Sequence, residues 1–483
     1  MLSSAMTDDA PTLEAMRGCF EGAAPSLLAS CSADGTPNIT YVSQVHYVDP
    51  EHVALSFQFF SKTRENILAN PQATVFTADV HTGARYLLRL RYERTEDSGP
   101  LFESMKAKLA GIASHTGMSG VFRLRGADVY RVLGVERLPG PALPASPTGA
   151  RYNAVSALRQ ISQRLAAASD LRALLDDTLA ALESQMRIAH AMVLLAEVGS
   201  GRPPRLFTVA TRGYPQSGVG SELPFGQGVI GVAAAQGTPI RISHFAAEYA
   251  YSCRMREQWL ASGATADAIE TEIPLPGLDR PQSQLAVPIV LGRRVVGVLY
   301  AESAQPACFS YDDEDALMTV ATHLGATIAA LQTAAEAPDE PAALGRPPAS
   351  PPASPPALAL AGTSAAMSTA PPAQPLPPPA IVRRYRVNDS VFIDDDYLIK
   401  GVAGAILWKL VNDVVAGRRD EFTNRELRLD PSLKLPDIAD NLEARLILLQ
   451  RRLAERCPFI AIEKTGRGRF RLRVERPLTV VEV

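Results

Sequence analysis

The chain has 483 residues, room for about three domains, and 46% of them are hydrophobic, enough for ordinary packed cores. The net charge of −3 singles out no partner for the chain as a whole. The cysteines (Cys19, Cys31, Cys253, Cys308 and Cys457) are odd in number and form no C-x-x-C pair, which argues against a disulfide framework and a zinc site and predicts buried thiols in a reducing compartment. No apolar run reaches the roughly 18–20 residues of a membrane span. The first eleven residues carry Asp8 and Asp9, no Lys or Arg and no apolar core, so no secretory signal is expected. The expectation is a soluble cytoplasmic chain with no membrane contact and no metal.

Two breaker-rich stretches divide it. Residues 139–151 read PGPALPASPTGAR, and residues 336–380 are nearly all Ala, Pro, Ser and Thr. Proline lacks an N–H and disfavours helix at the residue before it, so the second stretch predicts a disordered linker. Three folded blocks remain, 12–138, 152–333 and 381–483, giving a multidomain α+β architecture.

The first block opens with a predicted short helix over 13–21. Strand-like runs follow at 26–31, 38–48, 52–60, 75–79, 85–94 and 121–135, with a hairpin signal at Ser32-Ala33-Asp34-Gly35. Many short strands at this spacing predict a small β-barrel. In LSFQFFSKTRENILANP, residues 55–71, a strand ends at Phe60 and Ser61-Lys62-Thr63 opens a helix that stops before Asn70-Pro71. Hydroxyls, an ammonium and free N–H groups at a helix start suit a phosphate, and the same motif suits an ordinary cap with a solvated lysine. ADGTPNIT, a Val-Asp-Pro turn, SKTRENILANP and Thr82-Gly83 come in an order that resembles the pyridoxamine-5′-phosphate-oxidase-like, FMN-binding split-barrel family over residues 24–137. The resemblance implies FMN or a related cofactor at a dimer interface. Its phosphate would be held by Ser61, Lys62, Thr63 and Asn66, with Gln44 and Gln58 at the flavin edge. No substrate-binding Arg or His can be placed, so oxidase chemistry and catalytic residues are not implied. His115 stands in a glycine-flanked loop.

The middle block starts with apolar residues at helical spacing over 152–187, broken near Ser169-Asp170. Strands are predicted at 191–198 and 206–212, the latter closed by Gly213. Gly226 and Gly228 permit a tight turn into a helix over 229–236, and Gly237 ends it. Runs at 285–289 and 294–303 alternate about Gly292, and Ser310 with Asp313 makes a capping box before a long amphipathic helix. FGQGVIGVAAAQGTPIRI, LAVPIVLGRRVVGVLYAES and FSYDDEDALMTVATHLGATIA resemble GAF domains across the whole block. This implies a central antiparallel sheet between helices, one pocket for a small-molecule ligand of unidentified class, and a homodimer. Cyclic-nucleotide GAF domains carry Asn-Lys-x-Phe-Asp/Glu, where this chain has Ala301-Glu302-Ser303, so that ligand is not indicated. His190, His244 and His323 are candidate haem ligands, with a structural role favoured for His323. Residues 245–278 are expected to fold over the pocket.

The last block holds 20 basic and 16 acidic residues, against an acidic remainder. Helices are predicted over 405–415, from the Thr423–Glu426 capping box, and from Pro436 with a stripe of Leu442, Leu446, Leu449 and Leu453. Strands at 459–464 and 469–474 flank Gly466-Arg467-Gly468. A strand, three helices and a basic hairpin make a winged helix-turn-helix, and FIAIEKTGRGRFRLRV resembles the wing of bacterial response-regulator output domains. The resemblance puts the third helix in a DNA major groove. Asn441, Arg445, Arg452 and Arg456 would reach DNA from it, with Arg467 and Arg469 on the wing. Asp437, Asp440 and Glu443 on the same helix oppose phosphate, which leaves a protein-binding winged helix open.

The leading expectation is a ligand- or redox-sensing transcription regulator. The alternatives are a signalling adaptor whose winged helix binds a protein, and a flavin oxidoreductase with regulatory domains.

Overall fold

The computed structural model describes residues 11–20, 26–42, 44–57, 62–79, 82–99, 101–106, 109, 124–139, 152–198, 203–242, 273–305, 308–336, 378–433, 442–466 and 468–483. The predicted linker, the segment expected over the GAF pocket and the start of the third C-terminal helix fall largely or wholly outside them. The chain divides into two compact units, one of residues 1–331 with 431–452, the other of residues 332–430 with 453–483.

The larger unit begins with a seven-stranded antiparallel sheet. It comprises β1 (Ser26–Cys31), β2 (Pro37–Val42), β3 (Val45–Asp49), β4 (His52–Phe57), β5 (Gln72–Ala78), β6 (Arg85–Glu96) and β7 (Gly126–Leu138), in the order β2-β1-β5-β6-β7-β4-β3. The single run expected over 38–48 is two strands that part company: β2 pairs with β1, and β3 pairs with β4. The helix expected at 13–21 is a turn followed by a 3-10 turn, Arg17–Phe20. Helix α1 (Lys62–Ala69) stops ahead of Pro71 as expected. Leu28, Val53, Leu55, Ile67, Val75, Leu88 and Tyr130 fill the core.

The second sheet of this unit has six strands: β8 (His190–Glu197), β9 (Arg205–Arg212), β10 (Glu222–Pro224), β11 (Ile240–Ile242), β12 (Ser283–Leu291) and β13 (Arg294–Ser303). Their order is β10-β9-β8-β13-β12-β11, all antiparallel. Helices α2 (Ala154–Ala167) and α3 (Leu171–Met186) precede it, and the break between them is set by the Asp170 side chain, which accepts from the Ala173 N–H. Helix α4 (Gly228–Gln236) has too little polar surface to face water. It packs Val229, Ile230, Val232 and Ala233 on the sheet face formed by Met192, Leu194, Ala286, Val298 and Tyr300. Helix α5 (Tyr311–Glu336) starts at the capping box, Ser310 Oγ receiving the Asp313 N–H while Asp313 accepts from the Ser310 N–H.

In the smaller unit, β14 (Ala380–Tyr385), β15 (Ser390–Ile393) and β16 (Asp396–Ile399) form an antiparallel sheet, and β20 (Leu478–Glu482) adds to β14 in parallel. Helix α6 (Gly401–Val415) follows, then β17 (Glu421–Thr423) and the Thr423-capped α7 (Asn424–Leu429). A hairpin of β18 (Ile460–Gly466) and β19 (Arg469–Val474) takes β17 on its free side. Helix α8 (Leu442–Arg456) crosses the division, its first eleven residues counting with the larger unit.

Charge is buried in matched sets. In the first sheet Asp128 is 5% exposed and takes a close ion pair from Arg64, whose guanidinium also donates to Thr95 Oγ1 at 2.8 Å and lies 4.5 Å from the centre of the Phe57 ring. Thr95 Oγ1 donates to the same carboxylate at 2.5 Å and meets the Tyr92 hydroxyl at 2.7 Å. Removing one member of such a pair strands the other charge in a poor solvent. Arg64→Ala is expected to cost about 3 kcal/mol in urea unfolding, and Arg64→Met with Asp128→Leu to recover most of it. A single-variant loss below about 0.5 kcal/mol, as for an exposed pair, would contradict this.

Candidate functional site

The middle sheet carries a polar row that the apolar pattern around it makes conspicuous. Across neighbouring strands His190 lies opposite Glu302, Glu302 opposite Gln284, and Gln284 opposite Ile242. Each of the first three is two residues from a member of the α4-facing cluster, Met192, Tyr300 and Ala286, so the pleat puts them on that same face. Glu302 is 3% exposed and Gln284 4%. The Glu302 carboxylate accepts from the Leu278 N–H at 2.7 Å and the Tyr300 hydroxyl at 3.0 Å. The Gln284 Oε1 has no partner. The Tyr214 hydroxyl turns toward the carboxyl without closing a hydrogen bond, and its ring lies 5.6 Å from that of His190. Gly213 makes this approach feasible: its φ is +87°, and a Cβ there would lie 1.9 Å from the Ala189 carbonyl oxygen.

Burial raises Glu302 above the ordinary carboxylate range and outweighs the lowering by its hydrogen bonds. Burial likewise pushes the Tyr214 phenol upward, so it stays neutral. Sequence reading passed over Glu302, because Ala301-Glu302-Ser303 registered only as the lack of a nucleotide signature. The available signal was a lone acid inside the strand VVGVLYAES. Among the candidate haem ligands, His190 is in this row, His323 Nδ1 faces Ser162 Oγ at 3.2 Å, and His244 lies outside the described residues. Among the described residues no group of three His, Cys, Asp or Glu could hold a metal ion.

In the first sheet the expected phosphate residues divide. Lys62 is exposed and pairs with Glu65 at 3.4 Å. Thr63 is buried and accepts from Asn38 Nδ2 at 2.7 Å, which leaves its own hydrogen free to donate. Asn66, 1% exposed, donates to Ser30 Oγ at 3.2 Å, and its Oδ1 has no partner. Gln44 Oε1 is likewise buried without one. Ser61, Gln58 and His115 lie outside the described residues. An open cleft of about 340 Å³ runs past Ser30, Cys31, Asn70, Gln72 and Arg89, and none of the expected phosphate residues lines it. Unpartnered amide oxygens and an exposed ammonium fit a polar cofactor; Arg64, turned inward on Asp128, does not serve it. The Cys19 and Cys457 thiols are pushed up to about 12, first of all by burial, which keeps them protonated.

In the C-terminal residues, Arg456 and Arg469 are exposed, and Asn441 and Arg467 lie outside the described residues. Arg445 and Arg452 are buried, 5% and 4% exposed. Within the larger unit Arg445 pairs with Glu197 at 3.4 Å, and its neighbour Arg451 pairs with Asp176 at 2.6 Å. In this arrangement Arg445 and Arg452 reach no phosphate. The helical stripe had placed them outward, yet Ile447 and Leu448, off that stripe, are buried too.

Two family models match. Residues 168–329 match the GAF domain, and residues 12–132 match pyridoxamine 5′-phosphate oxidase. The chain carries a GAF domain behind a pyridoxamine 5′-phosphate oxidase-like domain. Among solved structures, the GAF domain of an Acinetobacter phosphoenolpyruvate-protein phosphotransferase is 23% identical, covering 37% of this chain and 94% of that one (TM-score 0.29). The free methionine-R-sulfoxide reductase of Neisseria meningitidis is 24% identical, covering 41% and 99% (TM-score 0.29). An FMN-binding protein of Syntrophomonas wolfei is 14% identical, covering 27% and 87% (TM-score 0.23). No curated protein matches the chain. Among the described residues, no helix is long and apolar enough to cross a membrane.

Proposed function

We propose that the chain is a small-molecule-responsive regulator whose GAF domain binds an effector and whose C-terminal residues act on DNA. The observation that carries the sensing half is the buried polar row of His190, Glu302 and Gln284 beneath an otherwise apolar α4 face. A GAF domain with a few fixed polar groups in apolar surroundings is built to select a ligand. The first domain would contribute an FMN site, with Lys62 and the Thr63 hydroxyl on the phosphate and Gln44 at the ring edge. FMN supplies redox chemistry when bound, which would make the regulator respond to reductant as well as to effector.

The DNA half rests on the order of elements after Ala380: a sheet, three helices and a basic hairpin, as in a winged helix. Exposed Arg456 and Arg469 would meet phosphate; Asn441 and Arg467, expected beside them from the sequence, lie outside the described residues. Arg445 and Arg452 would join them only after leaving their buried places. That burial favours a second reading, in which α8 is a protein-binding helix and the chain a signalling adaptor.

A salt-dependent DNA shift assay separates the two. The regulator reading predicts binding that weakens steeply with salt, and a smaller salt slope in Arg456→Ala/Arg469→Ala by about one unit per lost phosphate contact. No binding at any low salt concentration would remove it in favour of the adaptor. The absorbance spectrum of the same preparation tests the cofactor: flavin bands lost in Lys62→Ala support the FMN site, and flavin bands unchanged in that variant remove Lys62 from it.

A further inference from the structure

We propose that Asp176 and Glu197 of the GAF domain hold α8 back from DNA by standing in for phosphates, so that the GAF domain and DNA compete for one face of this helix. This rests on the reading of the C-terminal residues as a DNA-binding module and names how that module is restrained.

Helix α8 is covered on more than one side. Its leucine stripe, Leu442, Leu446, Leu449 and Leu453, is the apolar face that an amphipathic helix gives to a core. A helix that reads DNA keeps another face open to the groove. In α8 every residue from Ala444 to Leu449 is buried, a run longer than one helical turn, so no side of this stretch faces water. The second covered face carries the arginines. Arg445 and Arg452 are two turns apart, on the same side of the helix. Within the larger unit Arg445 pairs with Glu197, the last residue of β8, at 3.4 Å. The Arg452 stem lies against Gly220, its Cδ 3.8 Å and its Cγ 3.9 Å from where a Cβ would stand. Arg451 beside it pairs with Asp176 of α3 at 2.6 Å.

These contacts use the chemistry of a DNA contact. A guanidinium meets carboxylate and phosphate oxygens with the same N–H donors and the same geometry. Asp176 and Glu197 therefore offer α8 what two phosphates would, and the arginines cannot serve both at once. The acids also hold lightly. The Asp176 side chain is 53% exposed and that of Glu197 29%, and ion pairs in contact with water contribute little to stability. A contact that covers the arginines and yet yields leaves a fraction of the chain competent for DNA. The apparent affinity is lowered by that fraction.

The full-length chain is followed by two readouts, amide hydrogen exchange at residues 442–452 and the shift of a random-sequence DNA duplex at low salt. Asp176→Asn/Glu197→Gln removes the two carboxylates. Asp97→Asn/Asp177→Asn makes the same change of charge at exposed acids that have no ion pair to α8 among the described residues. The first variant is expected to exchange faster in α8 and to bind the duplex about fivefold or more tighter than wild type. The control is expected to match wild type within about twofold in both readouts. Should the double variant not fold, Asp176→Asn alone, at a half-exposed position, is expected to move both readouts the same way by less. If α8 exchanges faster while the affinity does not exceed that of the control, the contact is a structural one and the proposal is overturned. A gain in affinity without faster exchange, or no change in either, also overturns it. If wild type and every variant leave the duplex unshifted, the DNA reading falls and takes the proposal with it. If wild type shifts the duplex and the variants bind no tighter, the proposal falls alone.

Discussion

A charge taken out of water must be answered from inside the protein, and this constraint orders the molecule. Three buried acids, Asp128, Glu314 and Asp413, meet it with arginine or lysine. Asp313 meets it with the Tyr152 hydroxyl, the Ser310 hydroxyl and N–H, and the start of a helix. Among the five buried acids of the described residues, Glu302 has neither a cation nor a helix N-terminus; neutral donors face it instead. Its hydrogen bonds lower its proton affinity less than burial raises it. The same physics that pairs the other four holds this one toward its protonated form.

The answered pairs also connect the domains of the larger unit. Arg241 follows Ile240 on the strand whose next residue, Ile242, stands beside Gln284. Its guanidinium pairs with Glu314, donates to the Phe309 carbonyl at 3.2 Å and covers one side of the Tyr311 ring at 4.1 Å. Arg17, from the turn that precedes the first sheet, reaches the same ring at 4.3 Å and pairs with Asp315 at 3.5 Å. Two arginines from different domains thus share one aromatic ring at the start of α5. Cation–π contacts of this kind contribute on the order of 1 kcal/mol each, enough to bias an arrangement without freezing it.

Much of this was legible in the sequence because it follows local rules. Gly237 ends a helix where left-handed backbone is needed, Ser310 and Asp313 cap α5, Thr423 caps α7, and β19 has the expected bounds. The parting of β2 and β3 was missed because alternation runs through Ser43 and Gln44 without a breaker. The parallel pairing of β20 was missed because its partner β14 lies about a hundred residues away, whereas the three-stranded sheet at Ala380–Ile399 is built of local hairpins that the sequence reading passed over. Site residues fared worse for the same reason. Lys62, Thr63 and Asn66 share a motif, yet only Lys62 faces water, since burial depends on what α1 packs against. Arg445 and Arg452 have polar heads that a helical wheel sends outward, and pairing with Glu197 is visible only in three dimensions. Glu302 was invisible as a site because a strand pattern records which positions are buried, and says nothing of which buried acid is met by neutral donors only.

The most direct measurement is the infrared difference spectrum between wild type and Glu302→Gln, titrated with pH. The account predicts a carboxylic-acid band, present only in wild type, whose midpoint lies above the ordinary value of 4.5. A band that titrates at or below 4.5, or no difference band at all, would mean that Glu302 is an ordinary ionised carboxylate and would contradict the account.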